Sequence, residues 1–309
     1  MKVEESSWAC RAFELSGWDG PSSACDMKSS DHRPTLNLFE TARANTAIAT
    51  EMFNQLAAQI SEEQDLLLRD FTAWVDAQGL LSINVGLLVA VELVNGKKHQ
   101  NIYEWADEQA ELSARPRETI LRERLRDFYD RRVTFDSALD DGESMRYGAL
   151  NAGGVGATAY APYCLLLSRT LQENIEQLAF LPGDSLKICF DSDGHFAPAL
   201  LKTLVTPPAC RSFLVARERI KEILNSEPAV WPSLVISHDR FFEAIFIADV
   251  SVEAIDSIRV SQVEYDRIWD LAFANFGRKL GDAERALVHD FVQLKRAVVD
   301  RKIKLEVCQ

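Results

Sequence analysis

The chain has 309 residues, of which 47% are hydrophobic, and a formal net charge of −13 at pH 7, from 47 Asp and Glu against 34 Lys and Arg. That is apolar material for one large domain or two ordinary ones, while the charge excludes an extended nucleic-acid surface, which needs a basic stripe to neutralise phosphates. No apolar run is long enough to span a bilayer, so the expectation is a soluble protein without membrane contact.

In chain order, residues 1–33 are rich in Ser, Asp, Gly and Glu, with isolated Trp8, Phe13 and Trp18 and no sustained period. They read as a mobile leader without the apolar stretch of a secretory signal peptide. Helix signals follow. "LNLFETARANTAIATEMFNQLAAQI" has no internal Gly or Pro, and Ser61 with Gln64 makes a capping-box pattern. The helix after it places Leu67, Phe71, Trp74 and Val75 on one face and meets Gly79 at its end. "LLSINVGLLVAVELV" is apolar and β-rich, and periodicity does not separate strand from buried helix there. Residues 98–132 are helical again with a break near Pro116, and "ILRERLRDFYDRR" reads as a solvated helical face.

From residue 145 the pattern changes to short β-type runs: "MRYGALN", "PYCLLLS", "SLKICF", "SLVISHDRFFEAIFIADV" and "SIRVS". Helices sit between and after them: "SFLVARERIKEIL", one capped by Ser261 and Glu264 running to about Phe276, and one after Asp282; "KIKLEV" closes as an alternating edge strand. The expected class is α+β, with a leader at 1–33, a mainly helical part at 34–140 and an α+β part at 141–309.

Cys10, Cys25, Cys164, Cys189, Cys210 and Cys308 are scattered, with no Cys-x-x-Cys pair and no histidine at ligand spacing. Reduced thiols and no metal site are expected. "DSDGHF" at 191–196 lacks the further ligands of a calcium loop and reads as a turn. His195 and His238 have no Cys or Ser partner in a recognisable arrangement. The glycines of "NAGGVGATAY" fail the dinucleotide-fold spacing. The strand "RFFEAIFIADV" carries more information. With period two, Phe241, Glu243, Ile245 and Ile247 share one face, and Phe242, Ala244 and Phe246 the other. Both faces are apolar, so the strand is central, and Glu243 is a carboxylate that has a partner, opens into a cleft or is protonated.

Taken in order, "MRYGALN", "YAPYCLLLS", "AFLPGDSL" and "FFEAIF" resemble the pattern of bacterial effector-type mono-ADP-ribosyltransferases, and are similar to the CteC-like group that modifies threonine on ubiquitin. The resemblance implies an ADP-ribosyltransferase-like fold of two small sheets with NAD between them and no metal. It implies that Glu243 contacts the ribose as the glycosidic bond breaks. Arg146 would hold the phosphate or nicotinamide-ribose region, and Asn151 would belong to the same cofactor-binding set. Tyr147, Tyr160 or Phe180 would stack on the nicotinamide, with Asp184 and Ser185, on a turn followed by a strand, lining the site. A fixed carboxylate suits the positive charge that develops on the ribose.

Two departures bear on this reading. "YAPYCLLLS" stands where many transferases of the wider superfamily carry Ser-Thr-Ser. Phe241 stands two residues before Glu243, where arginine-modifying members carry Glu or Gln. An apolar wall there favours a Thr or Ser acceptor on a host protein, and the resemblance to the CteC-like group implies ubiquitin first. The resemblance further implies a virulence factor delivered by a specialised secretion system to the host cytoplasm. The alternatives are an NAD glycohydrolase, and a non-catalytic helical binding protein in which Arg146 and Glu243 merely bridge.

Overall fold

The computed structural model describes residues 35–274 and 280–308; the leader, Cys10, Cys25 and the expected end of the helix at Phe276 lie outside the described residues. The fold is mixed α/β, built on one seven-stranded sheet. Its strands are β1 (Leu80–Val85), β2 (Arg146–Asn151), β3 (Tyr163–Leu167), β4 (Gln177–Leu181), β5 (Glu243–Ile247), β6 (Ile255–Ser261) and β7 (Lys304–Cys308). The order is β4-β5-β2-β1-β3-β6-β7. Every neighbouring pair is antiparallel except β6 with β7. The separate pair of sheets expected from the resemblance is therefore one continuous ladder, because β1 pairs with β2 on one side and with β3 on the other. The helical segment and the strands after 140 share that ladder, since β1 comes from the former.

The ambiguous run at 80–94 contains both alternatives. β1 ends at Val85, Gly86 serves as the helix N-cap, and Leu87–Val94 is a buried helix. Ser61 and Gln64 make the expected capping box before the helix Glu62–Gln78, with bonds of 3.3 and 3.1 Å. The long Ala-rich run divides at Asn45 into Leu38–Ala44 and Thr46–Ala57. There the Asn45 amide donates to the carbonyls of Lys202 and Val205, each at 2.8 Å. "SLKICF" departs from expectation: Ser185–Ile188 is a short helix with Asp184 as its N-cap, and the strand of this region, β4, precedes the turn. Among the described residues, no helix is long and apolar enough to cross a membrane.

The sheet has two different faces. One is covered along its length by a large core holding Leu81, Ile83, Leu150, Tyr163, Leu165, Phe180, Phe242, Ala244 and Phe246. The helices Glu62–Gln78, Leu87–Val94, Arg211–Ile223 and Asp282–Arg301 add to it. The other face is sealed by a smaller core only toward β4 and β5, where Ala179, Leu181 and Ile245 meet Leu38, Phe135 and Leu201. Near the middle of that second face the covering stops, and a cavity begins.

Candidate functional site

Period-two alternation puts Glu243 on the incompletely covered face, opposite Ala149 of β2 and Leu181 of β4. The cavity in front of it is about 300 Å³, at the small end of the range for ligand pockets. Ser82 and Asn84 of β1 and Tyr147, Gly148 and Ala149 of β2 form its floor; Phe128, Arg132, Tyr160, Asp184 and Phe241 are among its walls. Gly148 permits the floor: a Cβ there would lie 2.4 Å from the Ser82 carbonyl oxygen.

Glu243 is 5% exposed, and its Oε2 accepts a hydrogen bond from the Ser185 N–H at 3.0 Å. No Lys, Arg or His stands within ion-pair distance of it among the described residues. Burial pushes its carboxyl up, to about 7, the Asp184 charge adding to the rise while Arg132 and the Ser185 hydrogen bond oppose it. Near neutral pH the group is thus divided between its acid and its carboxylate. Ser185 is positioned by the turn before it: the Asp184 side chain accepts from the Leu186 N–H at 3.0 Å and from the Tyr160 hydroxyl at 2.8 Å. The Ser185 Oγ is buried without a hydrogen-bond partner.

The cation of the cavity is Arg132, in the helix Tyr129–Ser137, where the sequence reading expected a solvated face. Its side chain is 11% exposed. The guanidinium lies over the Tyr147 ring, 3.7 Å from the centroid, and pairs with Asp136 at 3.4 Å. Asp136 is buried and also accepts from the hydroxyls of Tyr103, at 2.8 Å, and Tyr147. Burial raises the pKa of Asp136 and, more strongly, that of Tyr147. Both tyrosines therefore stay protonated as donors, and Arg132 is neutralised by the carboxylate it holds.

The glycine-rich run 152–161 is the loop beside this cavity. Asn84 ties it down: its side-chain amide donates to Val155 and Ala161 at 3.2 and 2.8 Å, and its Oδ1 accepts from the Ala157 N–H at 2.9 Å. Gly156 has φ +75, and a Cβ there would meet Asn84 Oδ1 at 2.2 Å, so the loop's approach to β1 depends on glycine. At the loop's end Tyr160 meets Phe241 edge to face at 5.4 Å.

Of the residues expected at the site, Tyr147, Tyr160, Asp184 and Glu243 are brought together around the cavity. Ser185 lies behind them and holds Glu243 through its backbone N–H. Three others lie elsewhere. Arg146 alternates to the face opposite Tyr147, where its Nη2 bonds Glu104 at 2.9 Å and the His99 carbonyl at 3.2 Å. The Arg146–Glu243 bridge of the binding-protein alternative is accordingly not formed. Asn151 accepts from the Gly153 N–H at 2.9 Å and shapes a turn. Phe180 is in the large core on the far side of the sheet. The residues that sequence reasoning missed are Arg132, Asp136 and Asn84. One signal for the first two was present: Tyr129, Arg132, Val133 and Asp136 recur at helical spacing on one face.

"DSDGHF" forms the expected turn, with Asp191 accepting from the N–H groups of Asp193 and His195 at 3.0 and 2.8 Å. Asp191, Asp193 and His195 bring ligand atoms within 4.8 Å of one another, all on exposed residues. His238 Nδ1 is 2.9 Å from the Thr158 hydroxyl. Cys164 and Cys189 are buried, and burial pushes their thiols up to about 11 and 12, which makes them inert packing. No protein-family model matches this chain, and a search of curated proteins gives no significant match.

Proposed function

We propose that the protein is a mono-ADP-ribosyltransferase that moves ADP-ribose from NAD to a Thr or Ser hydroxyl of a host protein, with ubiquitin as the leading acceptor. The observation that carries this is Glu243: a buried carboxylate with no ion-pair partner among the described residues, held by a backbone N–H at the wall of an aromatic-lined cavity. A carboxylate kept ionised there for packing alone would need a charge partner to offset its burial. The donor set fits the nicotinamide–ribose half of NAD, since Phe128, Tyr160 and Phe241 offer ring surface and Glu243 and Asp184 offer negative charge. Delivery into a host cell and a role in virulence belong to the same proposal.

NAD supplies the ADP-ribosyl group, and nicotinamide leaves with the electron pair of the broken C–N bond. The ionised Glu243 faces the positive charge that develops on the ribose, in a site already arranged to hold it. As the C–O bond forms, the acceptor hydroxyl gives up its proton, and a carboxylate titrating near 7 is suited to receive it. Phe241 lines the cavity and cannot orient a guanidinium, which supports a small hydroxyl acceptor. The acidic chain complements a partner with a basic face.

Incubation with NAD labelled in the adenylate and with ubiquitin tests this, read by mass spectrometry. ADP-ribose on a ubiquitin threonine is the expected product. Free ADP-ribose alone would show hydrolysis instead, and intact NAD with unmodified protein would overturn an enzymatic reading.

A further inference from the structure

We infer that Asp136 is a positioning residue of the site: it holds the Arg132 guanidinium over the Tyr147 ring, away from Glu243, and so leaves that carboxylate open to a ligand. The use of the open carboxylate in catalysis rests on the reaction proposed above; the arrangement itself is read without NAD.

Arg132 and Glu243 line the same cavity, yet no ion pair joins them among the described residues. Burial pushes the Glu243 carboxyl up, and Arg132 is the largest influence against that rise. Asp184 faces Glu243 from the turn before Ser185–Ile188, and Tyr147, Tyr160 and Cys189 also lie in its field. Arg132 is the cation of this group. A buried carboxylate and an arginine on one cavity gain by pairing, because each offsets the other's desolvation. Such a pair would show a ligand no net charge, and a developing ribose cation would meet a carboxylate already taken.

The guanidinium is held elsewhere. Asp136 stands one helical turn beyond Arg132, and its Oδ1 pairs with Nη1 at 3.4 Å. The Tyr147 ring lies under the guanidinium at 3.7 Å, and its hydroxyl donates to the same Oδ1. Tyr103, from the helix Ile102–Ser113, donates to Oδ2 at 2.8 Å. The Asp136 carboxylate is 2% exposed and fixed from two helices and a strand. Burial pushes its carboxyl up, while Arg132 and the two hydroxyls favour the anion. Asp136 is not among the residues lining the cavity, so its effect on a ligand passes through Arg132.

The test follows the titration of Glu243 by carbon-13 NMR of glutamate-labelled protein, with Glu243→Gln identifying the resonance. Wild type should titrate at about 7. Asp136→Asn keeps the shape and removes the charge that holds Arg132. Its Glu243 midpoint should fall by about one pH unit or more, as the guanidinium turns to Glu243. Adding Arg132→Gln should bring the midpoint back to about 7 or above. An unshifted midpoint in Asp136→Asn, or a fall that persists in the double variant, would overturn the role. Should Asp136→Asn not fold, crystal structures of wild type at pH 5 and pH 9 decide. The guanidinium should stay with Asp136 at both, and one found within about 4 Å of the Glu243 carboxylate at pH 9 would overturn the inference. A wild type that leaves NAD intact would remove the proposed function, and the titration would still decide the role of Asp136.

Discussion

Replacing Glu243 by Gln separates a catalytic carboxylate from a structural one, because the two roles have opposite consequences for stability. Burial holds the folded-state pKa at about 7, above the ordinary 4.5. The native state therefore retains, between those values, a proton that the unfolded chain has released. Stability from this group is fully present below about pH 4.5 and is lost as pH rises through about 7. The difference of about two and a half units corresponds to about 3 kcal/mol at pH 8, at about 1.4 kcal/mol per unit. Gln keeps the shape and can accept from the Ser185 N–H, yet carries no charge to bury. Urea denaturation at pH 4 and pH 8 should therefore find Glu243→Gln equal to wild type at the lower pH. At the higher pH it should be more stable by up to about 3 kcal/mol. Turnover of NAD should fall by about two orders of magnitude or more, and wild-type turnover should rise with pH through about 7 as the carboxylate ionises. A variant that loses several kcal/mol at pH 8 would refute this reasoning, since only a stabilised anion leaves such a deficit.

Arg146→Met should lower stability by about 1–3 kcal/mol, through loss of the bonds to Glu104 and His99, and leave NAD affinity unchanged; calorimetry showing a large loss of affinity would return Arg146 to the site. Asn84→Ala removes three bonds that anchor the glycine-rich loop, at a cost of about 1–3 kcal/mol in total. The amide of Ala157 should then exchange with deuterium markedly faster than in wild type, and unchanged protection there would show that the loop is held by other contacts.

The parts of this fold legible in the sequence are those decided over short distances. Alternation alone placed Glu243 opposite in orientation to Phe242 and Phe246, and the structure puts those phenylalanines in the large core and Glu243 at the cavity. The Ser61–Gln64 box is equally local. Ser185–Ile188 was misread because a helix of one turn has no period to detect; its signal is the Asp184 cap, which a turn shares. Arg146 shows a different limit. A guanidinium at the end of an apolar strand announces that it needs an acceptor, but the choice between Glu104 and Glu243 depends on the register of β2 against β5, which joins residues about a hundred positions apart. Arg132 fails for the same reason: alternating charges on a helix read as solvated, and its burial is set by Tyr147, on a strand that follows.

The same topology decides what the helical segment contributes. β1 lies at the centre of the sheet, and its Ser82 and Asn84 form part of the cavity floor. Phe128 and Arg132, also from before residue 140, supply part of the wall. Glu243, Asp184 and Tyr160 come from after it. Without β1, the facing edges of β2 and β3 would both be unpaired, and the loop anchored by Asn84 would lose its tether. The cavity is thus shared across residue 140: the mainly helical part supplies five of its fourteen lining residues, Ser82, Asn84, Leu125, Phe128 and Arg132.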